Sequence, residues 1–167
     1  MTNKITQLIE SKTMSSSRSI PLVDQGALPL GYAPMDRLHD EFIVLVNALA
    51  EAGDHVVADA LDALASNAKE HFGAEDRWMH ETDFPARECH VDEHAAVMRS
   101  IAGVQRRVAC GDFEAARRLA NELIAWFPGH ADYLDSALAH WMCKRRLGGV
   151  PIVVHRHIKP FIAAAAH

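Results

Sequence analysis

Apolar residues recur at spacings of three and four along four successive stretches of this chain, which is the pattern of amphipathic helices. In the first stretch the apolar positions are Leu38, Phe42, Leu45, Val46 and Leu49. Turn-forming residues separate the four stretches, and the connections are short. The pattern therefore predicts an all-α fold, an up-down-up-down four-helix bundle.

The breaks in the pattern give approximate helix limits. The predicted helices run from about Asp36 to a turn at residues 53–54, from about Val56 to Glu81, from about Arg87 to Ala109, and from an N-cap at Asp112 to residues 148–149. The apolar positions assigned to the fourth helix are Phe113, Ala116, Leu119, Leu123, Trp126, Phe127, Tyr133, Leu134, Leu138 and Trp141.

The two ends of the chain differ from its middle. Residues 1–30 are Ser-rich and carry Pro and Gly, so we expect an extended or partly disordered arm. The bundle is expected over residues 31–148. Residues 149–167 form an apolar tail interrupted by Pro160, which we expect to pack back on the bundle or to contact another chain.

Charge, hydropathy and cysteine content narrow the class of protein. The formal net charge of -5 argues against nucleic-acid binding, which needs a concentrated basic surface. No apolar run approaches the roughly 18 residues of a membrane helix. The start of the chain lacks the apolar stretch of a secretory signal, and the cysteines show no paired spacing, so we expect a cytoplasmic protein. The cysteines are Cys89, Cys110 and Cys143.

Side chains that can bind metals are distributed over all four predicted helices. A helix turns about 100° per residue, so a pair of residues four apart projects from one face. Burying so many imidazoles and carboxylates without a partner would be costly. Imidazole suits iron, zinc, copper or nickel, and carboxylates bridge hard cations well, which favours a metal centre in the bundle core. The seven candidates are His39, His71, Glu75, His90, His94, His130 and Asp135.

The step from His130 to Asp135 departs from simple helix geometry. Residues five apart on an ideal helix diverge by about 140°. Pro128 removes the hydrogen bond to the carbonyl of Ile124, and a single π-helical turn would bring the two ligands onto one face. We therefore predict that the fourth helix is bent or widened between Ile124 and Asp135.

Other residues of ligand type are assigned away from the centre. Cys89 directly precedes His90 and diverges from it by about 100°, so it should not bind the same metal. His80, five residues after Glu75, is expected at the surface. The histidines outside the centre are His55, His80, His140, His155, His157 and His167.

Three segments of the chain resemble motifs of the hemerythrin family, in its bacterial form. MDRLHDEF at residues 35–42 resembles the histidine motif of the family's first helix, and HFGAEDRWM at residues 71–79 resembles its His-x-x-x-Glu motif. LIAWFPGHADYLD at residues 123–135 is similar to its Trp-x-x-x-His-x-x-x-x-Asp motif. The spacing from Glu75 to His90 and His94 also matches. The resemblance covers roughly residues 30 to 148 and fills all seven ligand positions.

The resemblance implies a centre of two iron ions with unequal ligands. His90, His94 and His130 would hold one iron, and His39 and His71 would hold the other. The two carboxylates would bridge the pair together with an oxo or hydroxo group. The iron with two histidines keeps an open position, where dioxygen would bind reversibly. The protein would then be an oxygen carrier, store or sensor.

Reversible oxygen binding requires a dry apolar pocket, because water and stray protons promote oxidation of the metal. Five residues one, three or four positions from ligands are candidates for its lining, with plain core packing as the alternative for each. The small Ala131 would leave the pocket more open. The five are Phe42, Phe72, Trp126, Phe127 and Ala131.

Two other classes of function stay open at this point. One is a di-iron oxidase or peroxidase that detoxifies peroxide or nitric oxide. The histidine-rich ligand set argues against it, because ferritin-like oxidases use more carboxylates and Glu-x-x-His pairs. The other is metal or iron handling without oxygen chemistry. A protein partner and a homo-oligomer are left open too.

Overall fold

The computed structural model describes residues 29–146. The expectations for residues 1–28 of the arm, for the tail, and for His155, His157 and His167 lie outside the described residues. Three long helices, α1 to α3, are followed by a composite fourth, in which α4, a π-helical turn and α5 continue without a break. The elements are α1 (Ala33–Ala50), α2 (Val57–Glu81), α3 (Arg87–Ala109), α4 (Glu114–His130), the π-helical turn (Ala131–Asp135) and α5 (Ser136–Arg146).

The four long helices form a closed bundle. Each of the first three packs against the next helix in the chain, and α1 also packs against α4. The connections over residues 51–56, 82–86 and 110–113 are short, so neighbouring helices run in opposite directions. The predicted all-helical four-helix bundle is confirmed.

The limits of α2 and α3 agree with the predicted ones, while those of α1 differ by about a turn. Helix α1 begins at Ala33, because Pro34 is well tolerated in a first turn, and it ends at Ala50 before the predicted turn at residues 53–54. The carboxylate of Asp36 accepts hydrogen bonds from the backbone N–H groups of Leu30 at 2.7 Å and Gly31. Asp36 therefore holds the segment that precedes the helix, and the helix itself begins earlier, at Ala33.

A tight turn connects α3 to α4. Gly111 has φ of 88°, a conformation that glycine adopts without strain, and its N–H donates to the carbonyl of Val108 at 2.9 Å. The side chain of Asp112 accepts from the N–H of Ala115 at 3.2 Å, in the turn that leads into the fourth helix. The N-cap of the regular helix, which begins at Glu114, is Phe113 rather than the predicted Asp112.

The fourth helix widens where the sequence predicted it to. Residues 131–135 form a π-helical turn, and the N–H of Ser136 donates to the carbonyl of Ala131 five residues earlier. The wider turn places both His130 and Asp135 on the buried face. The assignment of Tyr133 to the apolar face was wrong, because the same turn directs it outward and leaves it 80% exposed.

Apolar side chains form two clusters inside the bundle. The larger cluster includes Phe42, Leu64 and Leu123, and the smaller one includes Met35, Met79, Phe84, Leu138 and Ala139. Along α1, the larger cluster begins at Phe42 and the smaller one contains Met35, with His39 between them. The buried polar side chains therefore lie at the level that separates the two clusters. In the part of the chain described, no helix has the length and apolar character needed to cross a membrane.

Candidate metal centre

All seven predicted ligands are buried at one level of the bundle. Their exposed fractions range from 0% to 4%. Helix α1 supplies one candidate ligand, and α2 and α3 supply two each. The fourth helix supplies the remaining two, His130 at the end of α4 and Asp135 at the end of the π-helical turn. Two overlapping groups have ligand atoms within 4.8 Å of one another: His39, His71 and Glu75, and Glu75, His90, His94, His130 and Asp135.

Three imidazoles converge through their Nε2 atoms. The Nε2 atom of His130 lies 3.2 Å from that of His90 and 3.2 Å from that of His94. Ligands at right angles around a metal, each at about 2.1 Å, lie about 3 Å apart. The spacing of these nitrogens therefore fits three ligands of one metal ion.

The carboxylate of Glu75 divides its two oxygens between the histidine groups. Its Oε1 atom lies 3.0 Å from Nε2 of His71 and 3.6 Å from Nε2 of His39. Its Oε2 atom lies 3.4 Å from Nε2 of His90 and 3.3 Å from Nε2 of His94. One oxygen faces each group, which is the arrangement of a bridging carboxylate.

The carboxylate of Asp135 is divided in the same way. Its Oδ2 atom lies 3.2 Å from Nε2 of His39. Its Oδ1 atom lies 2.9 Å from Nε2 of His90 and 3.3 Å from Nε2 of His130. Two carboxylates from different helices therefore span the same pair of positions.

Several of these buried atoms lack a hydrogen bond although another polar atom is close. Among residues 29–146, neither oxygen of Asp135 has a hydrogen-bond partner, and the same is true of Oε2 of Glu75 and Nε2 of His39. Oδ1 of Asp135 is within 2.9 Å of Nε2 of His90, so orientation rather than distance prevents the bond. Unpaired buried polar atoms are costly. A metal ion would accept their lone pairs, so the residues present fit a metal centre.

The charges of the cluster favour charged imidazoles when no metal is bound. Burial lowers the pKa of His39, but the nearby carboxylates of Asp135 and Glu75 outweigh it and raise that pKa to about 9. The pKa of His90 is raised to about 9 by the same balance. Burial raises the pKa of Glu75, yet its histidine neighbours hold it well below the usual value, and Asp135 shifts in the same direction. Protons therefore compete with a metal at this centre.

Two acidic residues contact candidate ligands from outside the centre, and neither was predicted from the sequence. Asp76 places Oδ1 at 2.8 Å from Nδ1 of His94, and Glu93 places Oε2 at 2.9 Å from Nδ1 of His130. The hydrogen bond to His130 lowers the pKa of Glu93. Each contact crosses from one helix to another, so spacing within a helix carries no signal for it.

The four aromatic candidates for the pocket divide between the two histidine groups. Phe127 meets the ring of His39 edge-on at 5.1 Å between centroids, and Phe42 meets His71 at 5.6 Å. These two aromatic rings are buried beside the two-histidine group.

Two further candidates lie against the three-histidine group. Phe72 stacks on His94 at 4.3 Å with an interplanar angle of 12°, although it also approaches His71. Trp126 lies 4.3 Å from His130 and is partly buried. The fifth candidate, Ala131, is buried in the larger apolar cluster. The aromatic residues therefore enclose both groups rather than one.

The residues predicted to lie away from the centre do so within the described part of the chain. His55, His80 and His140 are exposed, and none belongs to either ligand group. Cys89 is exposed although the neighbouring His90 is fully buried. Helix rotation separates the two side chains as expected.

Most of the sequence is similar to known proteins. Residues 30–141 match the family model described as the hemerythrin HHE cation-binding domain. Among curated proteins, the chain is similar to a bacteriohemerythrin of Ralstonia nicotianae. The two sequences are 40% identical over 119 residues, which cover 71% of this chain and 87% of that protein.

Proposed function

The chain belongs to the hemerythrin family and carries its cation-binding domain, and from that premise we propose that the buried centre holds two iron ions and binds dioxygen reversibly. On this proposal His90, His94 and His130 hold one iron, and His39 and His71 hold the other. Glu75 and Asp135 would serve both irons, with one oxygen of each carboxylate directed to each histidine group.

The observation that carries the proposal is the division of each carboxylate between the two histidine groups. Glu75 and Asp135 each direct one oxygen to the two-histidine side and one to the three-histidine side. A single metal ion would not need two carboxylates oriented in this way. Histidine and carboxylate ligands together suit iron, and the bundle core is a common place for dinuclear carboxylate sites.

The unequal number of histidines supports an oxygen-binding role. Three imidazoles and two carboxylates leave little room for another ligand on one side, whereas two imidazoles leave a position open on the other. When bound, a pair of ferrous ions can lend dioxygen two electrons and recover them on its release. Dioxygen would therefore bind beside His39 and His71.

The chain's own contribution to reversibility is the exclusion of water from that side. Phe42 and Phe127 contact the rings of the two-histidine group and are 1% and 4% exposed. Ala131 adds a small buried side chain to the same apolar cluster. We assign these three to the wall of the oxygen pocket, while Phe72 and Trp126 shield the three-histidine side.

The state of the cysteines supports a reducing compartment. All three are free thiols, and Cys89 and Cys110 are exposed. Exposed unpaired thiols persist where the surroundings keep them reduced. We therefore assign the protein to the cytoplasm.

The test is to follow the visible absorption of iron-loaded protein through repeated cycles of oxygenation and deoxygenation. A carrier, store or sensor should gain an oxygen-dependent band, lose it on deoxygenation, and regain it in the next cycle. Rapid decay to a ferric form with consumption of added peroxide would show an enzyme instead. A colourless protein that purifies with zinc would overturn both functions.

A further inference from the structure

Two half-exposed carboxylates contact buried histidines at Nδ1, while Nε2 of the same rings faces the centre. The side chain of Asp76 on α2 is 38% exposed and contacts Nδ1 of His94 on α3 at 2.8 Å. The side chain of Glu93 on α3 is 47% exposed and contacts Nδ1 of His130 at 2.9 Å. A carboxylate at Nδ1 accepts a hydrogen bond from the N–H at that position, which leaves the lone pair of Nε2 directed at the centre.

The position of Glu93 is fixed by a further contact. The indole Nε1–H of Trp126 donates to the same Oε2 atom at 3.3 Å. The ring of Trp126 also lies 4.3 Å from the ring of His130, so three side chains restrain one another. These contacts favour one rotamer of the half-exposed Glu93 side chain.

Both contacts serve the same histidine group. His94 and His130 belong to the three-histidine side. On the other side, Nδ1 of His71 is buried without a hydrogen-bond partner, and the ion pairs of His39 both run through Nε2 into the centre. The two carboxylates that contact Nδ1 of candidate ligands therefore both lie at the three-histidine position.

We propose that Asp76 and Glu93 are positioning residues that make the three-histidine position the tighter of the two, so that it fills first and empties last. The inference rests on the proposed two-metal centre. A carboxylate hydrogen-bonded to a ligand imidazole fixes its tautomer and ring orientation and makes it a better donor, and losing such a partner typically costs about 10- to 100-fold in metal affinity. Ordered filling follows because, among residues 29–146, carboxylate partners at Nδ1 are seen at the three-histidine position alone.

The experiment is an anaerobic titration of the metal-free full chain with Co²⁺, followed by visible absorption in the presence of a competing chelator. Wild type should bind two Co²⁺ per chain in two separated steps. Asp76→Ala and Glu93→Ala should each weaken the first step by about 10- to 100-fold and change the second far less. The two variants lie on different helices, so each tests the inference separately.

Matched controls are available on the same helices. Glu70→Gln and Asp92→Asn each remove one exposed charge that lies within two residues of a candidate ligand along the chain. The structure shows no contact between these two acidic side chains and a histidine of the centre, so both variants should titrate like wild type. Asp76→Asn keeps an oxygen that can accept from His94, so it should retain part of the affinity that Asp76→Ala loses. In a His39→Ala background, which disables the two-histidine position, the remaining step should show the full effect of Asp76→Ala.

The possible results separate the two levels of the proposal. If wild type binds two Co²⁺ but the Asp76 and Glu93 variants leave the first step unchanged, the inference is overturned and the two-metal centre stands. Equal weakening of both steps would also overturn it, because it would show a general loss of charge. If wild type binds fewer than two Co²⁺, the proposed function fails, and the inference fails with it.

Discussion

His90 is a candidate ligand enclosed by other polar groups of the centre. It is fully buried, and its Nε2 atom lies within 3.4 Å of oxygens from both Glu75 and Asp135. We predict that His90→Ala lowers the metal content from two ions per chain, because the three-histidine position loses a ligand. Metal analysis of the purified variant measures this. The exposed His80→Ala serves as the control and should keep the wild-type content. Unaltered iron and absorption in the His90 variant would contradict the assignment.

The protonation of the imidazoles makes metal binding depend on pH. His39 and His90 have pKa values raised from 6.5 to about 9, so both carry protons at pH 7 in the metal-free protein. Metal binding needs neutral imidazoles and must displace those protons. We predict that metal affinity rises from pH 7 and levels off above about pH 9. An indicator dye in weak buffer should detect proton release on metal addition at pH 7 and little at pH 10. Equal release at both values would contradict this account.

The residues of the buried histidine and carboxylate cluster could be predicted from the sequence, and their contacts with Asp76 and Glu93 could not. His71 with Glu75 and His90 with His94 are four residues apart, so helical geometry alone places each pair on one face. Asp76 and Glu93 contact histidines on other helices, and those contacts depend on how the helices are rotated against each other. The same rotation decides which aromatic residues face which metal position.

The composite fourth helix contains a glycine that offers a test of its helical conformation. A Cβ atom added at Gly129 would meet no atom within 4 Å. Because alanine has a smaller unfolded ensemble and a better helix propensity, Gly129→Ala should stabilise the protein by about 0.4–1 kcal/mol. Thermal unfolding of the metal-free protein measures the change. Gly111→Ala is the matched comparison and should destabilise, since Gly111 has φ of 88°. A loss of stability in the Gly129 variant would contradict a regular helix there.

At the scale of helices, most limits followed from the sequence, and the exceptions have local causes. The ends of α2 and α3 were predictable because turn residues interrupt a strong apolar period. The start of α1 was placed too late because the apolar pattern begins after Pro34, whereas the helix begins before it. The widened turn was predictable from the step between His130 and Asp135. The exposure of Tyr133 that results from this turn was not predicted.

For the molecule as a whole, the metal centre is expected to be a main source of stability. The seven ligands come from all four helices and separate the two apolar clusters, so a bound metal connects every helix of the bundle. A ligand that binds only the folded state at 100 to 1,000 times its Kd adds about 3–4 kcal/mol. We predict that chelation lowers the unfolding temperature and that restoring metal recovers it. Calorimetry of metal-free and reloaded protein tests this, and identical transitions would contradict it.

A two-iron centre as proposed should bind one dioxygen molecule at its two-histidine side. The most direct measurement is a titration of the ferrous-loaded protein with dioxygen, with iron and protein determined on the same sample. We expect two irons per chain and one dioxygen taken up for every two irons, released again under vacuum, with no reversible uptake by His39→Ala. One iron per chain, or uptake that cannot be reversed, would contradict it.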